Sequence, residues 1–286
     1  MFVTMSVMLA VLALVVVVLV AFVVRQSVPT AADIAWLAGP NFAPTATPPN
    51  EDAVAVCQRY LTRHRRHRLA GGLIGVLFAA IIGVRWFGSV SIGLGQGSPL
   101  ADLLFCGIFG VIVGTLSAES FRLTTTPNTK RAASLDPRPV PVGSERVAFA
   151  RAIALAAVVV GAVAALANHG RLALVTSLVL VVPLAVAELV MVVIAGRSRP
   201  AMTDRARNLD ARLRVFAGSS LSYLHLATAS LMLGWTVAKI ESLSGLPAII
   251  RFCVAIGCLI VAVVMLRRAA PRPSGGVVFD DDVPAA

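Results

Sequence analysis

Long apolar runs separated by polar gaps constrain this chain more than any other feature. A transmembrane helix needs about 20 mostly apolar residues to cross roughly 30 Å of hydrocarbon. Seven runs reach or approach that length, at residues 2–24, 69–87, 100–120, 148–167, 172–195, 216–238 and 246–266. In lipid, only helices and closed barrels satisfy their own backbone groups. Because the runs do not alternate as barrel strands do, they predict an all-α, polytopic transmembrane helical bundle.

The basic residues predict how these spans are oriented. Of the 25 Lys and Arg residues, 21 lie in the first, third and fifth gaps, in the first turn of the fourth span (Arg151) or in the C-terminal tail, and four lie elsewhere. Lys and Arg collect on the cytoplasmic side of a membrane. The asymmetry therefore predicts seven spans, with the N-terminus outside and the C-terminus cytoplasmic. It also explains the net charge of +11 without nucleic acid, because no recognised nucleic-acid module accompanies the charge.

The polar gaps divide the chain into four parts. Residues 1–25 are expected to form an uncleaved transmembrane anchor, because the run lacks the basic start of a signal peptide. Residues 26–68 form a cytoplasmic Pro/Thr/Ala-rich loop and a basic helix that continues into the second span. Residues 69–266 form a six-helix bundle, and residues 267–286 form a disordered tail. Within the loop, the apolar patch at 34–37 is expected to lie on the membrane surface.

The basic helix before the second span is a candidate lipid-contacting element. Its arginines are Arg59, Arg63, Arg65, Arg66 and Arg68. Such clusters beside a span bind anionic lipid headgroups at the cytoplasmic face. The same cluster is also explained by orientation alone, and both interpretations stay open.

Small residues recur every four positions in the second and third spans. They are Gly71, Gly75, Ala79 and Gly83 in one span and Cys106, Gly110, Gly114 and Ala118 in the other. Small residues at this spacing let two helix backbones approach closely. The pattern predicts a tightly packed hairpin.

Two ionisable residues deep in the spans are candidates for function. An ionisable group inside a membrane is costly and is a functional hypothesis by default. Glu188 and His225 lie at similar distances from the arginine-rich ends of neighbouring spans, so they are a candidate hydrogen-bonded pair. The functional interpretation is a proton or cation relay. The structural alternative is a polar clamp between helices, worth about 1 kcal/mol.

The remaining intramembrane charges are expected to form ion pairs. Glu119 lies near the cytoplasmic end of the third span, with Arg122 one turn later and Arg151 at the matching end of the fourth span. Asp102 and Arg85 flank the outer loop of the tight hairpin and are expected to pair in the same way.

The chain carries no motif that indicates catalysis, a cofactor or a metal. Walker A, zinc-protease, nucleophile-elbow and dinucleotide-binding patterns are missing from the sequence. Its four cysteines have no zinc-ligand spacing, and metal ligation by the histidines is not expected. The sequence therefore favours a protein that is not an enzyme.

Several short motifs give the chain a resemblance to known sequences. They are Arg59-Tyr60-Leu61-x-Arg63, Ala118-Glu119, Arg131-Ala132-Ala133-Ser134-Leu135-x-Pro137-Arg138 and Asp210-x-Arg212. With these motifs, the chain resembles multi-pass integral membrane proteins of actinobacteria. The resemblance implies a bacterial inner (plasma) membrane location and implies no activity.

Two functions from different classes remain open. The first is a non-enzymatic structural or partner subunit that contacts membrane or cytoplasmic proteins. The second is a small-solute or proton-coupled transporter that uses Glu188 and His225. An intramembrane enzyme is less favoured, because no nucleophile and base can be assembled from the sequence.

Overall fold

The computed structural model describes residues 28–39, 51–87, 99–120, 144–167, 170–196, 204–240 and 246–273. The predicted anchor at 2–24, Arg122, most of the third gap and the end of the tail lie outside these ranges. The side chains of residues 82–87, which include Arg85 and Trp86, are also outside the described part.

The described part of the chain is helical and contains no strand. Its helices are α1 (Ala31–Ala38), α2 (Glu51–Phe87), α3 (Pro99–Ser120), α4 (Ser144–Leu166), α5 (Arg171–Gly196), α6 (Asp204–Ala238) and α7 (Leu246–Arg268). The prediction of an all-α bundle is confirmed.

Five helical segments in these ranges are long and apolar enough to cross a membrane. They are Asp102–Ser120, Ser144–Leu166, Arg171–Ile194, Asn208–Ala238 and Leu246–Arg268. They match five of the predicted spans. The predicted span at 69–87 is helical, as the second half of α2, but it is not among the five. The total of seven spans stays a prediction.

Helix α6 is the centre of the bundle, with α3, α4, α5 and α7 packed around it. Of its spanning segment 78% is buried, against 22% for α7. Its side chains Leu224 and Met232 are fully buried in a core that also contains Ile112 and Leu180. Because other helices surround it, α6 carries buried polar side chains such as Ser222 and Thr228, whereas the outer helices keep one apolar face turned outward.

Two helices extend well beyond the others at the same end of the bundle. Helix α2 has 37 residues and α6 has 35, which give lengths of about 55 and 52 Å. Because the hydrocarbon is only about 30 Å thick, both project past it. Helix α1 packs on their projecting parts. We call α1, residues 51–68 of α2 and residues 204–216 of α6 the basal layer.

The apolar patch at 34–37, which was expected on the membrane surface, packs on the protein. The patch belongs to α1, and Leu37 is fully buried against the protein beside Phe216. Thr30 and Asp33 form a capping box that starts the helix. Gly39 ends it at φ +86°, and a side chain there would meet the Arg212 guanidinium at 2.9 Å.

The predicted tight hairpin of α2 and α3 is confirmed. A Cβ atom placed on Gly71 would lie 2.2 Å from the carbonyl oxygen of Gly110, and one on Gly110 would lie 2.1 Å from that of Gly71. Gly75 meets the carbonyl of Cys106 in the same way, at 2.1 Å. The two backbones are therefore in direct contact, and only glycine fits at these positions.

This contact predicts a large cost for one added methyl group. Gly71→Ala should lower stability by about 1–3 kcal/mol or more, because the obstructing atom is a helix carbonyl that cannot turn aside. The matched control is Gly257→Ala on α7, where a Cβ atom meets nothing within 4 Å. We expect the control to melt at or slightly above the wild-type temperature in detergent. Equal melting temperatures for the two variants would contradict the contact.

Candidate functional site

An ion pair joins α4 and α5 on the side of the bundle. The Arg151 Nε atom donates to Glu188 Oε1 at 2.8 Å. The pair is not enclosed, because the Arg151 side chain is 62% exposed and the Glu188 side chain 35%. Both residues belong to segments apolar enough to cross a membrane. Charges within such segments normally face the bundle interior.

The direct Glu188–His225 hydrogen bond expected from the sequence does not form. His225 is fully buried on α6, and its Nδ1 atom lies 3.0 Å from the carbonyl oxygen of Leu221. Its Nε2 atom has no hydrogen-bond partner among the described residues. The physical reason is that the Arg151 guanidinium makes a charge-assisted bond with the carboxylate, which is stronger than a bond from neutral imidazole.

A second arginine of α4 reaches the same part of α6. Arg146 donates to the Ser222 hydroxyl at 3.3 Å, and its guanidinium lies 4.4 Å from the centre of the Tyr223 ring. This contact was not predicted from the sequence. The available signal was the polar run at 219–223 on α6, which offers hydroxyl groups to a basic residue on a neighbouring helix.

A buried polar cluster lies where α2 meets the end of α3. Glu119 and His64 are 0% and 1% exposed. The Tyr60 hydroxyl donates to Glu119 Oε1, and His64 Nε2 lies 3.4 Å from the same oxygen. The Phe216 ring of α6 packs against both aromatic rings, at centroid distances of 5.9 and 5.8 Å. We call these four residues the Glu119 cluster.

The expected pairing of Glu119 with Arg151 is wrong, because Arg151 binds Glu188 instead. The alternative partner, Arg122, lies outside the described residues. Tyr60 and His64 follow each other at i, i+4, so both point from one face of α2 toward Glu119. That spacing was the available signal, but the sequence alone did not show which span faces it.

Arginines hold the basal layer together. Arg212 donates to the carbonyl oxygens of Leu37 and Trp36, at 3.3 and 2.9 Å, at the C-terminal end of α1. Cations favour that end of a helix, where carbonyls lack partners. Arg65 pairs with Asp33 at 2.8 Å and also donates to the Pro271 carbonyl. Arg212 thus joins α1 to α6, and Arg65 joins it to α2.

The surroundings of Asp33 favour the charged form of its carboxyl group, which the ion pair with Arg65 requires. Burial raises the pKa of its carboxyl group, but the hydrogen bonds from Thr30 and the Arg65 guanidinium outweigh burial. The net result is a pKa below its usual value. Asp33 therefore stays charged at neutral pH and keeps Arg65 in place.

Some arginines of the basic helix bond to other parts of the protein, and others are exposed on its surface. Arg65 faces inward, and Arg68 donates to the Leu266 carbonyl of α7 at 2.8 Å. Both were predicted to contact lipid headgroups, but their guanidinium groups are used within the fold. Arg59 is exposed and bonds only its own helix at Ala55 among the described residues. Arg66 is exposed as well, and Arg63 is half-buried.

Asp102 forms an ion pair at the opposite end of the bundle, and its partner differs from the predicted one. The Lys239 ammonium donates to Asp102 Oδ1 at 2.8 Å and joins α3 to the end of α6. The side chain of Arg85, the expected partner, lies outside the described part.

The described residues contain no group of three His, Cys, Asp or Glu side chains that could hold a metal ion. Cys57, Cys106, Cys253 and Cys258 are free thiols. Comparisons with known proteins found no protein-family model, curated protein or solved structure that matches this chain.

The Glu119 cluster predicts energetic coupling between α2 and α3. Truncating Glu119→Leu and Tyr60→Phe, singly and together, should give a coupling free energy of about 1–3 kcal/mol, because each change removes the same buried bond. Unfolding in detergent measures it. Glu119→Leu combined with Tyr223→Phe, whose ring contacts Arg146, is the control and should be additive within about 0.5 kcal/mol. Additivity of the first pair would contradict the bond.

Proposed function

We propose that the protein is a non-enzymatic, multi-pass protein of a bacterial inner membrane that acts as a partner subunit. A second membrane protein docks on the outward face of α4 and α5. The single observation that carries this proposal is the exposed Arg151–Glu188 ion pair within two membrane-spanning segments.

The Arg151–Glu188 ion pair lies at a depth where direct contact with lipid is unfavourable. Arg151 lies seven residues, or about 10 Å, after the first residue of α4, and Glu188 lies eight residues before the end of α5. Charged side chains at membrane depth are expensive when lipid surrounds them. A transmembrane helix with a polar residue at this depth would cover the pair and accept or donate its remaining hydrogen bonds.

The surrounding surface suits a helix. On α4, Leu155 and Val159 follow Arg151 at intervals of four residues and are 66% and 52% exposed. On α5, Val192 follows Glu188 by four residues and is 68% exposed. The ion pair is thus set in an apolar face formed by two adjacent helices. Such a face gives van der Waals packing around a polar contact, which is how membrane helices associate.

The arginine-rich end of the bundle, where the basal layer lies, is proposed to face the cytoplasm. The projecting parts of α2 and α6 lie there with the last turn of α7. Lys and Arg residues remain on the cytoplasmic side during insertion. In this orientation the basal layer is a cytoplasmic surface, and a cytoplasmic partner is also able to reach it.

A transporter is the second candidate, and His225 favours it. The His225 imidazole is fully buried, and its Nε2 atom has no hydrogen-bond partner among the described residues. Such a nitrogen is able to accept a proton. The Arg151–Glu188 pair and Arg146 lie on the two helices that pack against α6. A proton relay along α6 would use these groups.

Photo-crosslinking in the native membrane tests the partner role. A crosslinker at Leu155 should give one discrete adduct with a second membrane protein, and the same group at Val263 on α7, which is 39% exposed, should give none. Glu188→Leu should abolish the Leu155 adduct, whereas the double reversal Arg151→Glu with Glu188→Arg should retain part of it.

The opposite result supports the second candidate. If Leu155 gives no adduct and reconstituted vesicles show a proton flux, the protein is not a partner subunit. The flux should then be lost in His225→Ala and kept in Thr228→Ala, which alters an equally buried side chain one turn away.

A further inference from the structure

A long groove runs along the tight α2–α3 pair on the side that faces α5. Its volume is about 820 Å³, within the range of small-molecule sites. It begins at the basic end of the bundle, at Arg66, His67 and Ser117. It extends to Phe78 on α2, Val175 and Val179 on α5 and Trp235 on α6.

The groove exists because its floor has almost no side chains. Gly71, Gly75, Gly110 and Gly114 lie along it. These are the glycines that bring the two backbones into contact. Larger apolar side chains stand on either side, including Ile74, Phe78, Phe109, Val113 and Val179. The groove is therefore lined mainly by apolar atoms, and it is open along one side to the surroundings of the bundle.

The mouth of the groove is cationic. Arg66 is exposed, and it has no hydrogen-bond or ion-pair partner among the residues that the structure describes. His67 Nδ1 lies 3.0 Å from the Ser117 hydroxyl, which places its ring across the end of the groove. Neighbouring Arg65 and Arg68 are held inside the protein, so Arg66 is the charge presented at this point.

The dimensions match one leaflet of a bilayer. Arg66 and Phe78 are twelve residues apart on one helix, or about 18 Å along its axis. Half of the hydrocarbon core measures about 15 Å. A molecule with an anionic group at the mouth and an apolar chain of leaflet length therefore matches both the charge and the length.

We propose that this groove is a binding site for one anionic phospholipid. Its phosphate lies between Arg66 and His67, and one acyl chain lies on the glycine floor. Basic pockets between spans bind such headgroups in the same way. The inference needs the protein to be in a membrane but does not depend on the partner role, which uses the other side of α5.

Trp235 provides the probe. Its ring stacks on Phe105 at 5.5 Å, and Phe105 lies twelve residues, or about 18 Å, before Ser117. It thus lies near the tail end of a bound chain. In a Trp36→Phe, Trp86→Phe variant, phosphatidylglycerol brominated near its chain ends should quench Trp235 fluorescence. We expect half-maximal quenching at a mole fraction at least five-fold lower than with brominated phosphatidylcholine.

Variants separate the site from general lipid contact. Arg66→Gln with His67→Gln should bring the two lipids to equal quenching, and Arg59→Gln, a charge loss outside the groove, should leave the five-fold preference unchanged. Val179→Phe, at a 54% exposed position, should fill the groove and weaken quenching by both lipids. Equal quenching in the unmodified groove would overturn the proposal. So would a protein helix or second copy that crosslinks to Val179 and excludes both lipids.

Discussion

The backbone contact between α2 and α3 at Gly71 and Gly110 sets the register on which the rest of the structure depends. Because each carbonyl lies where the other glycine would carry a side chain, the two helices have little freedom to slide. This register places Tyr60 and His64 opposite Glu119, and His67 opposite Ser117. The same glycines form the groove floor. One packing contact therefore positions a buried polar cluster and a candidate lipid site.

The basic residues act in two ways in this fold. Arg65, Arg68 and Arg212 bond to carbonyl oxygens and a carboxylate inside the protein, where they join α1, α2, α6 and α7. Arg59 and Arg66 stay exposed. Orientation during insertion requires only that positive charge stays on one side, whereas the basal layer requires particular guanidinium groups at particular places. The same arginine-rich segment is able to serve both needs.

The sequence predicted the features that depend on one helix or on two adjacent ones. The apolar runs predicted the helical spans, and the four-residue spacing of glycine predicted the α2–α3 contact. The sequence also correctly predicted that the basic helix continues without a break into the apolar run at 69–87, and the two together form α2. Each of these depends on periodicity along the chain, which the residues themselves display.

The partners of the charged residues were harder to predict, because they depend on how separate helices are rotated. Glu188 and His225 were matched by depth alone, but Arg151 on α4 reaches the carboxylate. Asp102 binds Lys239, which is 137 residues away. Leu37 was predicted to lie on the membrane because its patch is apolar. In the structure, apolar side chains of α2 and α6 bury it instead. The depth of a residue in its span and the composition of a segment do not show which helices face one another.

Labelling of single cysteines most directly tests the proposed orientation, a membrane bundle with its arginine-rich end in the cytoplasm. In a chain with its four native cysteines replaced, Arg59→Cys lies at the basic end and Leu246→Cys, 68% exposed, at the other. A membrane-impermeant maleimide should label Leu246→Cys in intact cells and Arg59→Cys only after permeabilisation. The reverse pattern, or labelling of both in intact cells, would contradict the account.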